Sequence, residues 1–180
     1  MKKAVSLILL LSMLVLLPCC SGGTTPVESF LLAVRKMDTV KMEELMTSDS
    51  AAMAARIKEY ADSLDSEKRA VLISLYSELK YTISEESEAE NGTKTVLVAL
   101  TIPDMAAVKS FAEAKTAVSG ESAYEIVGTM LSDGTVSGSY MTEKKITVTM
   151  KLENEKWLIP YSESENGAVS YTHLTLPTNR

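Results

Sequence analysis

The sequence predicts an α+β domain, and three observations carry that expectation. Apolar residues recur at helical spacing from Thr25 to Leu79, and the period drops to two at Lys80. A second alternating segment follows another helical stretch, giving helices first and two hairpins after them.

Thr25-Pro26-Val27-Glu28 reads as a helix start, with Thr25 as N-cap, Pro26 at the first helical position and Glu28 in the capping-box position. Val27, Phe30, Leu31, Val34 and Met37 then fall on one helical face. Asp38-Thr39 reads as a new cap, and Val40, Leu45 and Met46 predict a short second helix ending near Thr47. Two more helices are predicted over Ser50–Ser63 and Ser66–Leu79, the latter with Val71, Leu72, Leu75 and Leu79 on one face. Tyr81 and Ile83 open a strand, and Val96, Val98, Leu100 and Ile102 alternate in the returning one. Asn91-Gly92 between them is a strong hairpin signal, because both residues tolerate positive φ. Asn91-Gly92-Thr93 also matches a glycosylation sequon, but turn chemistry accounts for it. The polar "SEESEAENG" is expected to form the solvated outer half of the hairpin. Asp104 is expected to cap a helix from Met105 to about Val118, and "SAYEIVGTMLSDG" to form a shorter one after the Ser119-Gly120 break. Ile146, Val148, Met150 and Leu152 alternate, Glu153 to Glu155 turn the chain, and Trp157 and Ile159 return it.

Residues 1–19 read as a secretory leader, with Lys2 and Lys3 ahead of an apolar run from Ala4 to Leu17. Those fourteen residues are fewer than the about 20 that a membrane-crossing helix needs. A cysteine directly after such a run resembles a bacterial lipobox, in which the cysteine is diacylated and the chain is cleaved just before it. Cys19 would place Pro18 at the cut, where a small flexible residue is wanted. Cys20 places Leu17 three positions before the cut and the small Cys19 next to it. Cys20 is therefore the expected lipid-attachment residue, and an ordinary cleaved leader with neither cysteine modified is the alternative. Residues 20–24 would then be the lipidated cysteine and a linker of only ~15 Å reach, which holds the domain close to the membrane. No cysteine follows Cys20, which rules out a disulfide scaffold and a Cys-ligated metal site in the domain.

Composition changes abruptly after Asn166-Gly167, from acidic to Thr- and Leu-rich. Val169 to Thr178 back-translates as GTC TCT TAT ACA CAT CTG ACG CTG CCG ACG, which resembles a sequencing-library transposon adapter read in one frame. Residues 168–180 are accordingly expected to be non-native, with a single domain over 25–167 that is cut short at its C-terminus. A native C-terminal strand is the alternative. His173, the only histidine in 180 residues, falls in this tail.

Without Lys2, Lys3 and Arg180, the 18 basic residues become 15 against 24 acidic ones, a net charge of −9. That balance disfavours nucleic acid, whose phosphates need clustered Lys and Arg. It also disfavours adhesion of the domain itself to an anionic bilayer, leaving the lipid as the anchor.

"TPVESFLLAVRKMDTVKMEELM", from Thr25, and "KKITVTMKLENEKWLI", ending at Ile159, resemble small bacterial lipoproteins of the nuclear transport factor 2-like, or cystatin-like, superfamily. The resemblance covers about Thr25 to Ser162. It implies N-terminal helices packed on a curved antiparallel sheet that wraps them as a cone around a concave cavity. Enzymes of that fold, isomerases and dehydratases, use a buried Asp, His or Tyr as acid or base.

With His173 set aside the domain has no histidine, so Ser-His-Asp, Cys-His and His-metal chemistry are excluded. Glu43, Glu44, Glu85, Glu86, Glu88, Glu90, Glu163 and Glu165 read as a solvated acidic face. The cluster from Glu85 to Glu90 lacks the Asp/Asn and Gly alternation of a calcium loop, so loose divalent binding is the most it offers. Tyr60, Tyr76, Tyr81, Tyr124 and Tyr140 are expected to pack in the core with hydroxyls near its rim, or to line a ligand cavity.

The expected protein is a lipid-anchored envelope protein on the extracytoplasmic face of the cell membrane, with a non-catalytic domain for a small ligand or protein partner. No cofactor, metal or catalytic residue is assigned. The alternatives are an isomerase- or dehydratase-like enzyme using an Asp or Tyr in the cone, and a structural or assembly lipoprotein of the cell wall.

Overall fold

A computed structural model describes residues 25–160. The leader, Cys19, Cys20, the linker, the acidic pair Glu163 and Glu165, and the tail with His173 lie outside the described residues.

Helix α1 (Pro26–Lys36) starts where the cap pattern places it, the Thr25 hydroxyl accepting from the Glu28 N–H at 3.1 Å. It stops at Met37, whose left-handed backbone (φ 52°) directs its N–H to the carbonyls of Ala33 and Val34. The Asp38 carboxylate accepts from the Lys41 N–H and starts α2 (Thr39–Glu44). The sequence pointed Val40 inward, but Val40 is 62% exposed and Met42 is buried. A helix of six residues turns only one narrow stripe to the core, and a residue two positions away is rotated by roughly 200°. Helix α3 (Ala51–Ser63) is followed by α4 (Ser66–Ser77), which the Asp65 side chain caps through the Lys68 N–H. Helix α4 ends two residues before the predicted Leu79, yet Leu79 remains buried.

Strands β1 (Lys80–Glu86), β2 (Thr93–Pro103), β3 (Met141–Glu153) and β4 (Lys156–Leu158) form an open antiparallel sheet in the order β1-β2-β3-β4. Asn91 (φ 50°) and Gly92 (φ 71°) make the first turn, and Asn154 (φ 50°) and Glu155 (φ 65°) the second. Paired positive φ values match the right-handed twist of the strands they join. In β1 the register shifts between Ile83 and Glu85, and the Ser84 hydroxyl bonds the Leu97 carbonyl. Val96, Val98, Leu100 and Ile102 alternate as expected and are all buried, opposite an outward row of half-buried residues. Leu152 has the parity of the buried Val148 and Met150 but is 47% exposed. It sits at the tip where its N–H meets the Gly92 carbonyl and Trp157 lies opposite, so solvent reaches it.

Between β2 and β3 runs a helical insertion: α5 (Met105–Ser119), α6 (Ala123–Ser132) and α7 (Thr135–Ser139). Asp104 caps α5 as predicted, and Ser122 and Glu125 form a reciprocal capping box on α6. The predicted pattern had no place for α7, which begins after Gly134 at φ 78°. The insertion is pinched shut at its base, where the Asp104 N–H donates to the Tyr140 carbonyl at 2.7 Å and Pro103 pairs with Met141.

Two apolar clusters result. One joins α1, α2 and α3 to the inner face of the sheet through Phe30, Leu31, Met42, Met53, Val98 and Met150. The other joins Leu75 of α4 to Val108, Ala112, Val127, Met130 and Val136 of the insertion. The architecture is thus α+β, with helices and an open four-stranded antiparallel sheet.

Two substitutions test this packing. A Cβ on Gly128 of α6 would lie 3.5 Å from Val71 Cγ2, an ordinary contact, so Gly128→Ala is expected to raise stability by about 0.5–1 kcal/mol in urea unfolding. Gly128→Leu is expected to lower it, and a stabilising Leu would refute the close α4–α6 approach. Glu155→Gly is expected to raise the unfolding midpoint, because glycine relieves a left-handed position that costs other residues roughly 1–2 kcal/mol.

Candidate functional site

An apolar cleft lies between α1, α4 and the sheet. Helix α1 supplies Val27, Phe30, Leu31 and Val34, the face that the i, i+3, i+4, i+7 spacing puts on one side. Leu75, Tyr76 and Leu79 come from α4 and its end, Leu100 and Ile102 from β2, Val148 from β3, and Ile159 from just after β4. Pro103 and Met105 close one corner where β2 leaves for the insertion. Arg35 fastens the two helical walls together, its Nη2 donating to the Ser77 carbonyl at 3.3 Å. The cavity volume is about 40 Å³. A water needs roughly 10–15 Å³ of such space and two to four polar partners, so the cleft has room for a few waters but little to hold them.

The five predicted tyrosines do not gather around one cavity. Tyr76 lines the cleft, and burial among aliphatic side chains pushes its phenol up to about 12. The Tyr124 and Tyr60 hydroxyls lie 3.3 Å apart. Burial, reinforced by that bond, raises Tyr124 as well, and Lys68 sits 5.8 Å above its ring. Tyr81 packs at the edge of the sheet-side cluster, its phenol raised by burial and by the nearby Glu28 carboxylate. Tyr140 tilts against Phe111 with ring centroids 5.6 Å apart. The tyrosines thus divide into one cleft residue, one helix-joining pair and two packing residues.

The carboxylates behave as solvated groups. Glu43, Glu44, Glu86, Glu88 and Glu90 are exposed, and Glu86 pairs with Lys94 at 2.9 Å. Asp62 is lowered chiefly by its hydrogen bond to Lys58, with Arg69 at 3.0 Å on the other side. The Thr47 hydroxyl lowers Asp49, the Lys68 ammonium lowers Asp65, the Ser122 backbone N–H lowers Glu125, and Thr135 lowers Asp133. All five of these shifts are downward, and no carboxyl lines the cleft. A general acid or base working near neutral pH needs the opposite shift. Among the described residues no three His, Cys, Asp or Glu side chains gather to hold a metal ion. The cleft therefore offers apolar contact through its walls.

A second depression, about 420 Å³, lies over the sheet between Lys80, Thr82, Ala99, Thr101, Glu143 and Lys145. Its walls mix lysine, threonine and Glu143 side chains with Tyr81, Ala99 and Leu100, and it is open to solvent.

These ionisations define a pH profile. A carboxyl lowered by folding contributes stability above its unfolded pKa and loses it as pH falls through the folded one, so stability is expected to decline below about pH 4. The raised phenols act in the other direction: their contribution is complete below about pH 10 and is lost as pH climbs toward the Tyr76 value of about 12. Between about pH 5.5 and 8 the melting temperature is expected to stay flat, since the described residues contain no histidine. A step near pH 6.5 would instead mean that His173 docks on the domain. Comparison of the chain with protein-family models, with curated proteins and with solved structures finds no match, so the functional reading rests on the cleft and on the leader.

Proposed function

We propose that this chain is a lipid-anchored cell-envelope protein, held on the extracytoplasmic face of the membrane through Cys20, whose domain binds a small ligand without catalysing a reaction. The single observation that carries the binding half is the cleft and its almost wholly hydrocarbon lining. The cleft shares the apolar lining of ligand pockets, but its volume of about 40 Å³ is far below their usual roughly 300–1,000 Å³, so it admits only a small apolar group. The order of helices and hairpins also suits a cystatin-like cone, in which such a cavity lies between helix and sheet.

The anchoring half rests on the leader, on the cysteine directly after the apolar run and on the short linker. No helix among the described residues is long and apolar enough to cross a membrane, which is compatible with an N-terminal lipid. The isomerase-like alternative asks for a carboxylate or an activated tyrosine in the cavity. The cleft holds no carboxylate, and Tyr76 is kept neutral to about 12. A nucleic-acid partner does not suit a net charge of −6.

Two measurements test the proposal. Mass spectrometry of membrane-extracted protein is expected to find a diacylglyceryl group on Cys20, and Cys20→Ser to release the protein from the membrane fraction; a soluble product starting elsewhere overturns the anchor. In thermal shifts, an apolar ligand at about 100 times its Kd is expected to add roughly 2.7 kcal/mol of stability. Val34→Trp, which fills the cleft, is expected to abolish that gain, and a gain unaffected by the filled cleft overturns the site.

A further inference from the structure

We infer that the outer face of the sheet binds a small phosphate monoester, its phosphate held between Lys80 and Lys145 over Ala99 and Thr101. This goes beyond the reading above and depends on neither the cleft nor Cys20. Register, charge and size point to such a ligand.

The register fixes the site. Lys80 pairs with Thr101 and Thr101 with Glu143, while Thr82 pairs with Ala99 and Ala99 with Lys145. These residues therefore form two adjacent rows across β1, β2 and β3, and they face solvent because Leu100 and Ile102 between them point into the core. Strand spacing of about 4.8 Å and a two-residue step of about 6.8 Å put Lys80 and Lys145 at opposite corners, on a diagonal of roughly 12 Å. Two four-carbon stems can converge across that span, and the single methyl of Ala99 leaves the hollow beneath them.

Charge selects the ligand. Lys80 and Lys145 are exposed, and among the described residues neither enters an ion pair, whereas Lys41, Lys58, Lys68, Lys94 and Lys109 each do. With Lys144 on the same depression, three ammonium groups stand against the one Glu143 carboxylate, on a chain whose net charge is −6. An ammonium is a point charge that takes a phosphate oxygen from any side, and this face has no arginine fork to suit a planar carboxylate. The terminal oxygens of a phosphate monoester are numerous enough to accept from both lysines and from the Thr101 hydroxyl together. Glu143, in the same row as Lys80, repels a second anion and accepts from a hydroxyl, so the body of the ligand carries donors and no further phosphate. A nucleic-acid strand, with a phosphate at every step, meets that carboxylate and is disfavoured. The depression of about 420 Å³ falls within the roughly 300–1,000 Å³ of small-molecule sites, enough for a phosphate and a small hydroxylated body.

The experiment titrates the full chain with glycerol phosphate, glycerate and inorganic phosphate and follows backbone amide shifts by NMR. Glycerol phosphate is expected to shift Thr82, Ala99, Thr101 and Lys145 saturably, with a Kd of about 1 mM at low salt. Binding is expected to weaken as salt rises, because the charges are exposed. Lys80→Gln combined with Lys145→Gln is expected to weaken it by roughly ten-fold. Lys36→Gln, at an exposed position in the last turn of α1, is expected to leave it unchanged. Glu143→Ala is expected to tighten inorganic phosphate and to cancel the advantage of glycerol phosphate over it. All four substituted side chains are exposed, so the variants keep the fold, which their amide spectra check directly. Shifts spread evenly over the exposed lysines, or binding that survives the double substitution, overturns the site. Glycerate binding as tightly as glycerol phosphate overturns the phosphate assignment, and an advantage that survives Glu143→Ala overturns the role of that carboxylate.

Discussion

Leu79 packs with the sheet-side cluster, while Leu75, one helical turn earlier, packs with the helical insertion, so α4 runs from one apolar core into the other. Leu72, in the same helix, is also fully buried. Helix α4 touches α1 on one side and α6 on the other, and the insertion has few other attachments to the N-terminal helices. Truncating a buried leucine costs about 2–5 kcal/mol, and at Leu75 the loss would be felt in the insertion core and in the wall of the cleft. Leu75 faces the insertion and Leu79, just past the helix end, faces the sheet, and the cleft lies beside both, against Phe30 and Val34 of α1.

The cleft also marks a division between hydrocarbon and charge on this protein. Its carboxylates lie outside, held ionised by hydroxyls, ammonium groups and backbone N–H donors at helix starts.

Much of this was legible in the sequence because local rules agree with tertiary ones over most elements. Thr25, Asp38 and Asp104 announce three helix starts through side-chain oxygens, and each accepts the expected backbone N–H. Asn91-Gly92 sets the first hairpin and its register follows. Short elements were harder. Val40 and Met42 are both apolar, and six residues give too few turns for periodicity to choose between them. Helix α7, written TVSGS, has weak helix formers throughout and is held by its contacts with α6 and β3 rather than by propensity. Leu152 keeps perfect alternation and is nevertheless exposed, because alternation records the face and not how far the helices reach along it. The cleft itself was invisible in the pattern: Val27, Phe30, Leu31 and Val34 would read the same in a filled core. Nor did any local signal announce the Arg35–Ser77 clamp, whose partners are 42 residues apart.

The pinch between Asp104 and Tyr140 has a kinetic consequence. Pairing β2 with β3 requires the chain to close a loop of more than thirty residues, an entropic cost that grows only as the logarithm of its length but must be met before any strand contact compensates it. A helical hairpin of α5 and α6 shortens that loop in advance, since its own contacts are local and bring both ends of the insertion to one place. Met141 meets Pro103 at the rung nearest the insertion, and the remaining pairs run from Thr142 to Lys151 toward the Gly92 turn. The insertion therefore acts as an oversized turn whose two ends meet at the base of the ladder it joins.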